Sequence, residues 1–325
     1  MLIPWLAFPA AAAASAGTTG LVTRYLRRRA ILDHPNERSS HAVPTPRGGG
    51  WGILAVLLPL WAALGVGLPV LAGVALLAAV SWIDDRRSLP AAPRLLAQAV
   101  AIAAGLAALG ADARVFQGWL PGWADHGLTA LCWLWFINLF NFMDGIDGLA
   151  GGEAVSVAGG LALATAVAGA ASPPAGPALV LAGAAAGFLV WNWHPAKVFL
   201  GDVGSVPLGF GLGWLLFAAA AAGLWPAALL LPLTFVADAS ITLTRRLLAG
   251  KPILQAHREH FYQRAVQGGR SHAWVTGRVL GANAVLVALA VAAPWLGWVP
   301  ALAAGALTVL ALLWRLRKAA ATPSP

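Results

Sequence analysis

Long apolar runs separated by short polar stretches make up most of this chain. A helix needs roughly 20 residues to cross about 30 Å of hydrocarbon. By that measure the pattern predicts about eleven spans, near 2–23, 51–67, 68–83, 93–110, 127–143, 153–171, 177–193, 206–222, 224–243, 273–293 and 296–313. The polar stretches between them concentrate at 24–50, 84–92, 144–152, 194–205 and 244–272. Pro69 and the run Ser172-Pro173-Pro174 read as turns. No internal repeat is visible, and so many spans leave little chain for a separate soluble unit. The expected fold is a single all-α integral membrane domain over residues 1–325, a polytopic helical bundle.

Charge placement supplies a test that the span boundaries did not assume. Threading the runs with the N-terminus outside places every Lys and Arg except Arg114 on one face, which the positive-inside rule makes cytoplasmic. The N-terminus is then periplasmic and the C-terminus, with Arg315, Arg317 and Lys318, cytoplasmic. Trp119, Trp123, Trp225, Trp295 and Trp298 fall on the outer belt, and Trp82, Trp191, Trp193 and Trp314 on the inner one. The basic cluster Arg24, Arg27, Arg28 and Arg29 follows the first apolar run, an order that argues against a cleaved signal peptide. Composition agrees, with 59% hydrophobic and only 10% charged residues. The net charge of +9 has this topological cause, so no nucleic-acid partner is inferred. The lone Cys132 has no disulfide partner.

Against this background the carboxylates stand out, because an ionisable group beside hydrocarbon is costly to keep. In NLFNFMDGIDGLAGG (138–152), Asn138, Asn141 and Asp144 recur at i, i+3 and i+6, one polar stripe if the helix continues, with Asp147 beyond. The glycines that follow let backbone approach a ligand closely. Asp84-Asp85 closes the third run before Arg86 and Arg87, and FLGDVGS adds Asp202 with Lys197 five residues earlier. Three carboxylate sites on one face suit Mg²⁺ held by few carboxylates, waters and substrate phosphates. In HREHFYQR, helical spacing puts His257, His260 and Arg264 on one face with Arg258 beside them, a basic surface suited to a diphosphate. Zinc is the alternative metal, but hard oxygen ligands and missing cysteines favour magnesium. A transporter is the rival from another class, predicting carboxylates deep in spans and matched interruptions in two repeated halves; only Asp238 is read as lying inside a span.

Taken in order, PTPRGGG (44–50), DDRRSL, NLFNFMDGIDGLAGG, KVFLGDVGS and AHREHFYQR resemble the polyprenyl-phosphate N-acetylhexosamine-1-phosphate transferases, over about residues 33–272. That resemblance implies transfer of an N-acetylated amino-sugar-1-phosphate from a UDP-sugar to undecaprenyl phosphate, with release of UMP. It implies a Mg²⁺ requirement, with Mn²⁺ as a substitute. It makes Asn141 and Asp202 metal ligands, and Asp84, Asp85, Asp144 and Asp147 catalytic carboxylates. Thr45, Arg47, Asn138, Lys197, His257, Arg258, His260 and Arg264 become substrate-binding residues. It implies a multi-pass protein of the bacterial inner membrane among lipid partners, its site facing the cytoplasm, and allows a homodimer. The peptidoglycan branch has three consecutive histidines in its last loop, whereas this chain has His257-Arg258-Glu259-His260. The departure points to the branch that initiates O-antigen or a related envelope glycan.

Overall fold

A computed structural model describes residues 3–35, 43–169, 175–252 and 257–321, so the expected turn at 172–174 and Ala256 lie outside the described residues. Helix α1 (Ile3–Arg28) leads to a two-stranded pair, β1 (Leu32–Asp33) and β2 (Thr45–Pro46). Then come α2 (Gly50–Ala63), α3 (Leu68–Arg87), α4 (Ala91–Leu109), α5 (Gly122–Phe142), α6 (Leu149–Ala168) and α7 (Ala175–Asn192). Helix α8 (Asp202–Ala219) runs through a π-helical stretch, Ala220–Leu224, into α9 (Trp225–Leu230). The chain ends in α10 (Leu233–Leu248), the short α11 (Phe261–Gln267), α12 (His272–Leu296) and α13 (Trp298–Ala321).

The molecule is an all-α polytopic membrane protein. Eight helical stretches among the described residues are long and apolar enough to cross a bilayer. The other expected spans are helical in altered form. The run at 51–67 becomes α2, of only 14 residues. The run at 127–143 falls in α5 up to Phe142, a helix that carries Asp125, Asn138 and Asn141 among its apolar residues. The run at 224–243 divides at Leu231-Pro232 into α9 and α10, where Pro232 cannot donate a helical hydrogen bond. Upstream of it, Gly223 at φ +90° interrupts the helix between α8 and α9.

Lipid tails are as apolar as leucine, so helices here hold together by close contact and hydrogen bonds. Along α1 and α7 the small residues are therefore structural. A Cβ added at Gly187 would stand 2.2 Å from the Ala12 carbonyl oxygen, and one at Gly183 2.3 Å from that of Phe8. At this separation Ser15 Oγ donates to the Ala184 carbonyl at 2.6 Å, and Trp191 Nε1 to that of Ala16 at 2.8 Å.

A polar clamp joins three further helices. Glu153 of α6 is only 1% exposed, accepts from Asn283 Nδ2 of α12 at 2.6 Å, and meets Thr234 Oγ1 of α10 at 3.2 Å. Thr234 Oγ1 also lies 2.9 Å from Asn283 Oδ1. Asp238 is thus not the only carboxylate within a helical span, as the sequence suggested. Glu153 is enclosed and hydrogen-bonded, which fits helix-joining rather than a transport path.

Gly187→Leu is expected to drive α1 from α7, at a cost of about 1–3 kcal/mol or more for overpacking. The thermal unfolding midpoint in detergent should drop, whereas Gly281→Ala, with nothing within 4 Å of the new methyl, should hold or raise it.

Candidate active site

The site begins with two loops that lie far apart in sequence and are joined through backbone. β1 and β2 pair antiparallel, Leu32 opposite Pro46 and Asp33 opposite Thr45. The strand then passes to a bridge between Arg47 and Phe199. The Phe199 N–H donates to the Pro46 carbonyl at 2.8 Å, while Gly49 and Gly50 N–H donate to the carbonyls of Phe199 and Leu200 at 2.8 and 2.9 Å. Only glycine permits this approach: a Cβ on Gly50 would lie 2.2 Å from Gly204 Cα. The PTPRGGG motif therefore delivers Arg47 to the N-terminus of α8, where Asp202 sits.

There Arg47 Nη2 lies 2.8 Å from Oδ1 of both Asp85 and Asp202. Burial alone would lower the guanidinium's pKa, but Asp85 and Asp202, with Asp33 adding to them, more than reverse the effect. The Asp85 carboxylate also accepts the N–H groups of Asp202 at 3.2 Å and Val203 at 3.1 Å, the unpaired donors that open α8. Asp85 is thus fixed by one cation and one helix end.

Asp144 is placed differently from the sequence-based stripe. α5 stops at Phe142, so Asn138 and Asn141 share its face while Asp144 lies beyond it in the turn. The Asp144 side chain makes no hydrogen bond to another described residue. Burial first, then the Asp202 carboxylate, push its pKa up to about 7 against the pull of Arg47. Three carboxylates (Asp85, Asp144 and Asp202) thus face one guanidinium, which leaves a surplus of negative charge when all are ionised. Such a set, with the Asn141 amide oxygen nearby, has the chemistry of a hard divalent-cation site. Asn141 Oδ1 accepts from Ser205 Oγ at 2.5 Å.

This cluster borders a cavity of about 360 Å³ lined by Asp84, Arg94, Gln98, Asn138, Asn141, Asp202, His257 and His260. Its apolar wall includes Leu77, Val80, Leu95 and Val206. Asp84 accepts the Leu89 N–H at 2.6 Å and Arg94 Nη1 at 3.0 Å, which braces the α3–α4 turn and holds Arg94 at the rim. Gln98, one turn after Arg94, receives Asn138 Nδ2 at 2.8 Å.

The last loop needs a correction. Residues 257–260 are not helical, so His257, His260 and Arg264 do not share one helical face. The cause is Asp238, whose carboxylate accepts the N–H groups of Phe261 at 3.0 Å and Tyr262 at 3.2 Å and so starts α11 at Phe261. It also anchors His260 Nδ1 at 3.1 Å. The two histidines still meet, their rings stacked at 5.0 Å. Burial first, then His260 and Arg246, lower His257 to about 4 against Glu259, so it is neutral at pH 7 and brings hydrogen bonding, not charge. Arg258 and Arg264 line a neighbouring hollow with Arg245 and Arg317. Arg264 is 3.3 Å from Glu259, which also binds Arg246 and Lys251.

Other expected site residues lie apart from this cavity. Thr45 Oγ1 donates to the Val43 carbonyl at 3.0 Å, and Lys197 Nζ lies 5.6 Å over the Trp191 ring. Asp147 turns to different partners: His194 Nδ1 at 2.7 Å, the Ala196 N–H at 3.1 Å and His272 Nδ1 at 3.2 Å. Their ligand atoms all lie within 4.8 Å of one another, a mixed nitrogen and oxygen set able to take a metal ion. Burial would raise the Asp147 carboxyl, but the hydrogen bonds from His272 and His194 hold it below its usual range.

Comparison with known proteins now decides the family. The model for glycosyl transferase family 4 matches residues 68–220. A decaprenyl-phosphate N-acetylglucosaminephosphotransferase of Mycobacterium leprae is 31% identical over 299 residues, covering 78% of this chain and 74% of the relative. Its Mycolicibacterium smegmatis namesake is 32% identical over 304 residues, covering 78% and 73%. The chain belongs to glycosyl transferase family 4.

A phospho-N-acetylmuramoyl-pentapeptide-transferase of Moorella thermoacetica is 41% identical, over only 97 residues and 30% of each chain. The segment matched by the family 4 model runs from α3 through α8 and holds Asp84, Asp85, Asn138, Asn141, Asp144, Asp147 and Asp202. Arg47 and the histidine loop come from outside it. Sequence reasoning missed Arg94 and Gln98 at the cavity, Ser205 beside Asn141, and His194 and His272 around Asp147. Arg94 and Gln98, four residues apart on α4, were the only ones a spacing rule would have flagged.

The two aspartates of the DGIDG loop should respond oppositely. Asp147→Ala strips the carboxylate from His194, the Ala196 N–H and the neighbouring His272 and should cost a few kcal/mol, at about 1–3 per unsatisfied group. Asp144→Asn loses no hydrogen bond and relieves repulsion, so unfolding midpoints should hold or rise. In metal-free buffer its raised pKa makes the wild type's stability greatest below the ordinary value of 3.8 and lower as pH climbs through about 7, where the carboxyl must ionise among its neighbours. Chemical unfolding in detergent from pH 4 to 8 should show that decline in the wild type and not in Asp144→Asn.

Proposed function

We propose that this protein transfers N-acetylglucosamine-1-phosphate, or a close N-acetylated amino-sugar-1-phosphate, from its UDP derivative to undecaprenyl phosphate, releasing UMP. The observation that carries this reading is the oxygen-rich cluster with surplus negative charge beside a cavity whose other wall is apolar. A diphosphate bridged by a cation suits the first, and a lipid chain suits the second. The names of the mycobacterial relatives supply the class of reaction and the sugar.

In the reaction, an oxygen of the acceptor phosphate forms a bond to the β-phosphorus of the UDP-sugar. The bond from that phosphorus to the bridging oxygen breaks, and UMP leaves with the electron pair. Phosphoryl transfer asks the protein mainly to position reactants and balance charge. A lipid phosphate with a second pKa near about 6 is already largely ionised, so no strong base is needed. Asp84, engaged by Leu89 and Arg94, serves better to hold the rim that receives the acceptor than to take a proton. Asp202, Asp144 and Asn141 would hold Mg²⁺, with Mn²⁺ as substitute, while Arg47 and the α8 N-terminus keep Asp85 in register. When bound, the ion neutralises the diphosphate and the charge that develops on the leaving phosphate. His257, neutral at pH 7, and His260 offer hydrogen-bonding groups to the sugar or diphosphate from across the cavity.

The setting is the bacterial inner membrane, with the N-terminus periplasmic and the site facing the cytoplasm, where nucleotide sugars are made. The product starts O-antigen or a related envelope glycan.

Purified protein in nanodiscs, supplied with undecaprenyl phosphate and a panel of UDP-N-acetyl sugars, should release UMP with Mg²⁺ and none with excess EDTA. Arg47→Gln and Asp202→Asn should each lower the rate by at least about 100-fold, as expected for groups that hold transition-state charge in place. UMP release from no donor, or full activity in either variant, would refute the proposal.

A further inference from the structure

One basic hollow plays no part in the proposed chemistry. It lies between the start of α12 and the end of α13, has a volume of about 430 Å³, and is lined by Arg270, Trp274, Arg278, Arg315, Lys318 and Ala319. No carboxylate is among these lining residues. Arg270 and Arg278 both pack on the Trp274 ring, at 5.4 and 5.2 Å from its centre, and Lys318 packs on Trp314 at 5.4 Å. Stacking on an indole orders a cation without neutralising it. The side chains of Arg270, Arg278 and Arg315 make no hydrogen bond or ion pair to another described residue, and Arg270 Nε is buried without a partner. By contrast Arg47, Arg94, Arg246 and Arg264, at or near the candidate site, each have a carboxylate.

Position says which anion belongs there. The hollow is at the membrane end that carries the candidate site, because His272 at the head of α12 touches Asp147 and the tail of α13 packs on Gly268 beside α11. Both helices are spans, so a ligand seated among their basic ends has acyl chains to lay along exposed apolar residues such as Leu310. A basic pocket between spans with aromatic residues at headgroup level is the setting in which anionic lipid headgroups bind.

We propose that this hollow is a specific site for an anionic phospholipid headgroup bearing two phosphodiesters, as in diphosphatidylglycerol. One lipid of this type brings two negative charges to Arg270, Arg278 and Arg315, which make no ion pair to another described residue. The site is separate from the acceptor cavity and stands whether or not the proposed transfer reaction does.

Native mass spectrometry of the full chain released from phosphatidylcholine nanodiscs containing a minor share of diphosphatidylglycerol tests it. Wild-type protein should retain diphosphatidylglycerol over phosphatidylcholine by about tenfold or more. Each of the exposed variants Arg278→Gln and Arg315→Gln should lose about fivefold, and the pair about thirtyfold, at roughly 1 kcal/mol per basic residue. Arg24→Gln/Arg28→Gln, at the exposed end of α1, should change retention less than twofold. Equal retention by wild type and the double variant would overturn the proposal, as would an equal loss in the α1 variant. Displacement by the soluble glycerophosphoryl headgroup at concentrations matching the lipid would also overturn it, by showing a plain anion hollow.

Discussion

Holding several carboxylates close together at the edge of hydrocarbon is the constraint on which this structure turns. Like charges in a poorly solvated place repel and lose hydration, so each must be matched by a cation, a hydrogen-bond donor or a bound ion. Here one guanidinium, Arg47, reaches Asp85 and Asp202 together, and the opening N–H groups of α8 complete Asp85. That arrangement exists only because the Gly49-Gly50 backbone can lie against the Phe199-Leu200 strand bridge and the first turn of α8. A sequence-distant backbone pairing thus creates the electrostatic centre.

The DGIDG loop shows how scaffold and reactive group are divided. Asp147 is enclosed by His194, His272 and the Ala196 N–H, which ties the α5–α6 turn to α12 and to the loop before α8. Asp144, three residues earlier, is left without such donors beside Asp202. A group kept where it is uncomfortable, on a support that is well satisfied, has the usual signature of a site traded against stability. Asp238 repeats the pattern within a helix by capping α11, so that His257 and His260 are carried to the cavity by hydrogen bonds and not by helical phase.

Much of this was legible in the sequence because membrane spans announce themselves by length and apolarity. The helices at the two ends, the DD, NxxN and GDVGS motifs, and the gathering of Asp84, Asn138, Asn141 and Asp202 at one cavity followed from hydropathy and motif order. What was not legible depended on contacts across sequence. Nothing local to HREHFYQR says that Asp238, about 20 residues earlier in α10, will begin the helix at Phe261 and leave Arg258 and Arg264 on another hollow. Glu153 reads as the first residue of an apolar run, and only the meeting of α6, α10 and α12 shows it to be a clamp. His194 and His272 are single histidines 78 positions apart, brought together only in the fold, where both hold Asp147. Lys197 was grouped with Asp202 by proximity in sequence, yet its chain leads to Trp191.

Two sets of side chains compete for the role of metal site, the oxygen cluster at Asp144 and Asp202 and the mixed cluster at Asp147, His194 and His272. Electron paramagnetic resonance of Mn²⁺ titrated into the nanodisc-bound protein separates them most directly. The account predicts one tightly held ion per chain that is lost in Asp202→Asn and in Asp144→Asn and kept in His194→Gln. An ion that persists in both aspartate variants and leaves with His194→Gln would contradict it.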